Sequence, residues 1–235
     1  MNFELSASLM CADFSRLHEQ LSQLRAGGVT RLHLDFADGH FAPNLLLGTE
    51  VFAMIGRDSD LTIESHLMLQ DPSPFLQLFI PDSDVVILHV ESQTDLAAAL
   101  DALRRAGKTA GLALRPETPS RAVVPYLRMI GHVLVLCVRP GFAGGEFLPA
   151  SVETIRELRQ AANAENPSLD IQADGAISAQ TIPTLLEAGA NVFVGGSSGL
   201  FVGDDLTGRA QALRRLINPR PSGPADTSRL RPGAG

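Results

Sequence analysis

Eight short apolar runs alternate along the chain with amphipathic stretches, and that repeat leaves few folds open. The runs are FELSASL, RLHLDF, LTIESHLM, DVVILHV, TAGLAL, VLVLCV, LDIQAD and NVFVGG. Each is apolar enough to be buried on both faces, as a strand of a parallel sheet must be. The stretches between them carry helix signals. Asp13 reads as the N-cap of the first helix, with Phe14, Leu17, Leu21 and Leu24 spaced along one face. Thr118-Pro119 opens the fifth with Pro at N1, and Val152, Ile155 and Leu158 stripe the sixth. Ala26-Gly27, Ala106-Gly107 and Ala188-Gly189 each end a helix just before a strand, where Gly turns left-handed at no steric cost. Strand and helix alternating eight times predict an α/β fold, a single-domain (β/α)8 TIM barrel. The rival is an open doubly wound sheet, which wants a Gly-rich fingerprint after its first strand, and SASLMCAD has none.

A chain of 235 residues falls within the range that such barrels occupy as one domain. We place the barrel at residues 1–217. The remainder, 218–235, is NPRPSGPADTSRLRPGAG, with little to bury, and is expected to be a disordered tail. With 45% hydrophobic residues, no Trp and one Tyr, the core must be aliphatic. A net charge of −7 without a basic block argues against nucleic acid as a partner. No run approaches 18 uninterrupted apolar residues and the N-terminus lacks a signal-peptide pattern, so neither a membrane span nor a leader is expected. Two cysteines, Cys11 and Cys137, make no disulfide framework and are read as small buried hydrophobes in a reducing, cytoplasmic setting.

The working face of a TIM barrel is the C-terminal rim of its strands. His33 and Asp35, two residues apart on the second strand, point the same way. Alone, such a pair is more often a hydrogen-bonded core contact than a metal site. His66 ends the third strand and Asp174 the seventh, with Ser8 on the first, so two His and two Asp converge on one rim. That mixed nitrogen and oxygen set suits a divalent metal ion such as Zn, Mn, Fe or Co. Glycine marks the other half of the rim in PGFAGGEF, DGA and GGSSG. Backbone N–H groups there can hold a phosphate, with Ser197 or Ser198 adding a hydroxyl.

The only Lys, Lys108, precedes the fifth strand and so sits at the opposite rim. A Schiff-base aldolase is thereby excluded, as is a decarboxylase that needs a rim Lys. What remains is a cation flanked by two carboxylates beside an anion site, suited to proton transfer next to a carbonyl. Asp35 and Asp174 come from strands two and seven, across the mouth from each other, so one acid can take a proton and the other return it from the far side.

The strings SASLMCADF, HLDFADGHFAPN, SHLM, RPETP, PGFAGGEF, ADGA and GGSSGLF, in that order, resemble the ribulose-phosphate 3-epimerase family over roughly residues 3–217. The resemblance implies a metal-dependent enzyme that inverts carbon 3 of a phosphorylated ketose, working as a homo-oligomer. It implies His33, Asp35, His66 and Asp174 as metal ligands and Asp35 and Asp174 as the acid/base pair. Ser8, His66 and Met68 would meet the substrate. The phosphate would lie against Gly141, Phe142, Ala143 and Gly144 on one side and Gly175, Ala176, Gly196 and Ser197 on the other. SLMC, RPETP, GFAG and SSGLF look closer to the allulose-6-phosphate 3-epimerase branch. Departures from the family pattern are Ala37 and Leu136 where Met is usual, Gly145 in place of Gln, Arg139 in place of a smaller polar or acidic residue, and Ala176 in place of Gly or Ser. His40 and Asp38 are read as loop caps, and His89 as either a pocket residue or a satisfied core His. A metal-assisted lyase and a non-catalytic sugar-phosphate binder are the competing readings.

Overall fold

The computed structural model describes residues 2–58 and 60–218, so all of the expected tail but Asn218 lies outside the described residues. Strand β1 (Glu4–Ser8) pairs in parallel with β2 (Arg31–Asp38) on one side and with β9 (Val192–Gly195) on the other. The ring continues through β4 (Thr62–Met68), β5 (Val85–His89), β6 (Thr109–Leu114), β7 (His132–Leu136) and β8 (Asp170–Asp174), every neighbour parallel. The eight expected runs therefore close a TIM barrel. The ninth strand, β3 (Leu45–Leu46), is a short antiparallel extension of β2 that folds the loop after it back over the mouth.

Helices α1 (Leu17–Ala26), α2 (Thr49–Asp58), α3 (Leu76–Phe79), α4 (Leu96–Arg105), α5 (Ala150–Glu165), α6 (Ile182–Ala188) and α7 (Leu206–Ile217) surround the barrel. The pattern that makes α4 is typical. The Asp95 carboxylate accepts from Ala98 N–H at the first turn, and Leu96, Ala99, Leu100 and Leu103 recur at helical spacing and are buried. Each fully buried Leu contributes roughly 1.5–3 kcal/mol of transfer free energy. No helix among the described residues is long and apolar enough to cross a membrane.

Local expectations needed three corrections. The fifth connection is not an α-helix but two 3-10 turns, Ser120–Ala122 and Val124–Tyr126. Pro125 lacks an N–H and its ring collides with the preceding turn, so a helix begun at Pro119 cannot run through it. Asp13 caps a 3-10 turn, Phe14–Arg16, ahead of α1, leaving Phe14 exposed while Leu21 and Leu24 are buried. After α1 the left-handed residue is Gly28 (φ 79°) rather than Gly27 (φ −75°), whereas Gly107 and Gly189 do turn left-handed.

Alternation puts Leu32, Leu34 and Phe36 of β2 outward, in the aliphatic layer between barrel and helices. The inside of the barrel is not uniformly aliphatic. Val85, Ile87, Ala113, Leu134 and Leu136 form an apolar strip on β5, β6 and β7. On β1, β2, β4 and β8 the inward positions are instead Ser6, Ser8, His33, Asp35, Glu64, His66 and Gln172, all buried. That polar half leads up to the candidate site.

Candidate active site

The register of β2 against β4 sets Asp35 opposite His66, and that of β1 against β2 sets Ser8 opposite His33. Asp174, the last residue of β8, reaches the same level from the other side of β1. One ligand atom from each of His33, Asp35, His66 and Asp174 lies within 4.8 Å of every other, which is the convergence the sequence pattern calls for. His66 Nδ1 is 2.9 Å from Asp35 Oδ1, and His33 Nε2 is 3.3 Å from the same oxygen and 3.9 Å from Asp174 Oδ2. Ser8 Oγ donates to Asp35 Oδ2 at 3.3 Å.

Sequence reading missed the residue that orients His33. Glu64, two before His66 on β4 and so on the same face, has its Oε2 3.2 Å from His33 Nδ1 and is wholly buried. Ser6 Oγ and Gln172 Nε2 donate to that oxygen, and Arg31 Nη1 donates to Oε1 at 3.0 Å. The signal was a charged residue inside an otherwise apolar strand, where it must find partners or unfold the chain. A carboxylate on Nδ1–H leaves Nε2 as the ligand atom, as in many metal-binding histidines.

Burial raises the pKa of Glu64, but His33, His132 and Arg31 outweigh it and hold the carboxyl far below its usual range. Burial opposes protonation of His33, yet Asp35, Glu64 and Asp174 raise its pKa well above the usual value. The cluster thus concentrates negative charge around Nε2 and retains a proton there. A divalent cation fits the same place, displacing that proton. Asp35 and Asp174 are driven apart. Burial raises both, but His33 and His66 pull Asp35 down, whereas on Asp174 the charges of Asp35 and Glu64 add to burial and leave its pKa raised.

Asp35, His66 and Asp174 line one pocket with Ser8, Met68, Leu136 and Arg139. Gly141, Phe142, Ala143, Gly144, Gly175, Ala176, Gly196 and Ser197 complete the wall, so every expected contact residue faces the same space. The backbone there is turned inside out: Gly141, Gly144 and Gly175 have φ of 113°, 81° and 103°, and even Ala176 has φ 54°. Turn backbone of this kind can present N–H groups to an anion. Asn44 Nδ2 donates to Gly141 O at 2.7 Å and ties this wall to the β2 loop. Ala37 packs with Phe41, Ala42 and Met68. The Asp38 carboxylate caps His40 and Phe41 N–H as expected. Cys137 is buried, but Cys11 is only half-buried and lines the pocket, correcting its reading as core.

Residues 4–201 match the family model described as the ribulose-phosphate 3 epimerase family. The chain belongs to that family. A ribulose-phosphate 3-epimerase from Aquifex aeolicus (strain VF5) is 32% identical over 214 residues, 91% of this chain and 96% of the relative. One from Treponema pallidum (strain Nichols) is 35% identical over 198 residues, 84% and 91% of the two chains. Membership of the ribulose-phosphate 3 epimerase family makes the protein an isomerase of the sugar-phosphate epimerase class. A solved 3-hexulose-6-phosphate synthase from Salmonella typhimurium shares the fold alone, at TM-score 0.65 and 16% identity over 91% of this chain and 98% of that one.

Acid should unfold the metal-free protein of this epimerase family member steeply. Burial lowers the pKa of His66, His89 and His132, and His89 falls to about 4 despite Glu91 beside it. A histidine kept neutral in the fold makes the unfolded chain the better proton acceptor. These three contributions are complete above about pH 6.5 and lost as pH falls toward 4, that of His89 being on the order of 3 kcal/mol, while the raised pKa of Asp174 offsets part of them. Urea midpoints across that window should fall with uptake of more than one proton per molecule unfolded; a flat profile would contradict neutral burial.

Proposed function

We propose that the protein inverts carbon 3 of a phosphorylated ketose, interconverting D-ribulose 5-phosphate and D-xylulose 5-phosphate, or D-allulose 6-phosphate and D-fructose 6-phosphate. The observation that carries this reading is the meeting of Asp35 and Asp174 in one pocket, from β2 and β8, with His33 and His66 between them. These four residues would hold a divalent metal ion, whose charge would stabilise the enediolate formed when the carbon 3 proton leaves. Asp35 and Asp174 exchange that proton with the two faces of the carbon. Environments that push two acids apart in pKa suit one to donate while the other accepts. Ser8 steadies Asp35, and Met68 and Leu136 exclude water beside the reacting carbons. The left-handed wall at Gly141, Gly144, Gly175 and Ala176, with Gly196 and Ser197, takes the phosphate.

Turnover of the two ketose phosphates side by side in D₂O, before and after chelation, tests the whole reading. Epimerisation with deuterium entering carbon 3, lost with chelator and restored by metal, is expected. Release of a shorter sugar fragment would favour a lyase, and binding without exchange a non-catalytic protein. The ratio of kcat/KM between the substrates decides pentulose against hexulose, for which Ala37 in place of Met leaves added room.

Arg139 is the one Arg or Lys lining this pocket, and its side chain is exposed at the mouth beside the phosphate wall. In a protein of charge −7 it is placed to draw in a dianion. Arg139→Gln should raise KM about tenfold, the worth of one weak charge-assisted contact, with a smaller change in kcat. Steady-state kinetics at two salt concentrations checks this; an unchanged KM at low salt would remove Arg139 from substrate capture.

A further inference from the structure

Behind His66, on the side away from the pocket, lies a buried relay. His66 Nε2 is 2.9 Å from His89 Nε2, and His89 Nδ1 is 2.9 Å from Glu91 Oε2. The other oxygen of Glu91 accepts from Arg115 N–H at 2.9 Å. Both imidazoles are fully buried, and the Phe41 ring covers His89 with its centroid 4.4 Å away. The Arg115 guanidinium in turn lies 3.9 Å over the Phe41 ring. His89 is therefore a satisfied core histidine, one of the two readings the sequence allowed, and its partner is a candidate metal ligand.

A neutral imidazole has one N–H and one bare nitrogen; two bare Nε2 atoms would repel at 2.9 Å, so the contact is a hydrogen bond that can run in either of two directions. In the first, His89 Nε2–H donates to His66. His89 Nδ1 is then bare and faces a carboxylate oxygen, two acceptors with no proton between them. In the second, His89 Nδ1–H donates to Glu91 and its bare Nε2 accepts from His66 Nε2–H. His66 Nδ1 is then bare and faces Asp35 Oδ1. This also sets acceptor against acceptor, but here a third nitrogen, His33 Nε2, lies within reach of both, 3.4 Å from His66 Nδ1 and 3.3 Å from Asp35 Oδ1. A doubly protonated His89, which would donate to both neighbours, would set an unhydrated charge between the Phe41 and His66 rings. Glu91, whose two oxygens face the Arg115 N–H and His89 Nδ1, thus decides the first step and every later one follows.

We propose that Glu91 and His89 are positioning residues that hold His66 in the tautomer whose bare Nδ1 faces Asp35 and His33, where a divalent cation binds. The inference rests on the metal reading above, but the tautomer is observable without metal. In ¹⁵N-histidine-labelled, metal-free protein at neutral pH, long-range ¹H–¹⁵N correlation should find His66 unprotonated at Nδ1 and His89 unprotonated at Nε2. Glu91→Gln keeps the shape but can donate or accept, so His66 should show mixed tautomers and Co²⁺ affinity, read by absorbance titration, should fall about tenfold. His89→Phe removes the relay and should cost up to about a hundredfold.

A wild-type His66 protonated at Nδ1, or wild-type Co²⁺ affinity in both variants, would overturn the proposal. Should His89→Phe fail to fold, the wild-type spectrum and Glu91→Gln carry the test. Should the wild type bind no Co²⁺, the metal reading fails while the tautomer assignment still stands or falls on the spectrum.

Discussion

Asparagine at position 174 should slow epimerisation by on the order of 10³–10⁴-fold while leaving the fold intact, because the amide matches the carboxylate in shape but cannot take or give the proton. Asp174 sits at the end of β8 with burial and the charges of Asp35 and Glu64 raising its pKa, so it is the readier of the two acids to hold a proton. The informative readout is which epimer still exchanges. With only Asp35 left, the epimer whose carbon 3 hydrogen faces Asp35 should still wash deuterium in without inverting, and the other should not exchange at all. Asp35→Asn should leave the opposite half. Deuterium incorporation followed by NMR from each pure epimer separates these outcomes. Near-normal inversion by Asp174→Asn would remove Asp174 from proton transfer and return the pocket to a binding role.

The barrel was legible because its signal is periodic: eight apolar runs survive any uncertainty about individual ends. His33, Asp35, His66 and Asp174 were legible because strand alternation and the C-terminal rim place them without knowledge of side-chain detail. What was not legible depends on contacts between strands far apart in the chain. Nothing near Glu64 in sequence announces that Ser6, Arg31, His33 and Gln172 will surround it. The tautomer of His66 is decided by Glu91, two residues beyond His89 on a different strand connection. Pro125, by contrast, was a local breaker in plain view, and the two 3-10 turns between β6 and β7 follow from it. The short strand β3 hid within a loop that reads as turn residues, since its two residues pair only through the end of β2.

Removing the Glu64 carboxylate should be the most damaging single change to stability. Its two oxygens accept from Ser6, Arg31 and Gln172 and face His33 Nδ1, all inside the barrel where no water replaces them. Glu64→Ala strands those donors and leaves Arg31 to Glu4 and Asp170 alone. Breaking a buried ion pair by removing one partner costs about 3–5 kcal/mol, and at about 2–4 °C per kcal/mol for a chain of this size the Tm should drop by roughly 10 °C. Glu64→Gln keeps the volume but must aim its amide N–H₂ at either Arg31 or the Ser6, Gln172 and His33 side, so it should fall between the two. It should also weaken Co²⁺ binding about tenfold or more, since His33 would lose the anion that fixes its Nδ1–H and strengthens Nε2 as a donor. Thermal unfolding and Co²⁺ titration on the same samples separate the two effects. A Glu64→Ala protein with wild-type Tm would mean that the barrel interior admits water to these groups. Wild-type Co²⁺ affinity in Glu64→Gln would mean that His33 needs no carboxylate behind it.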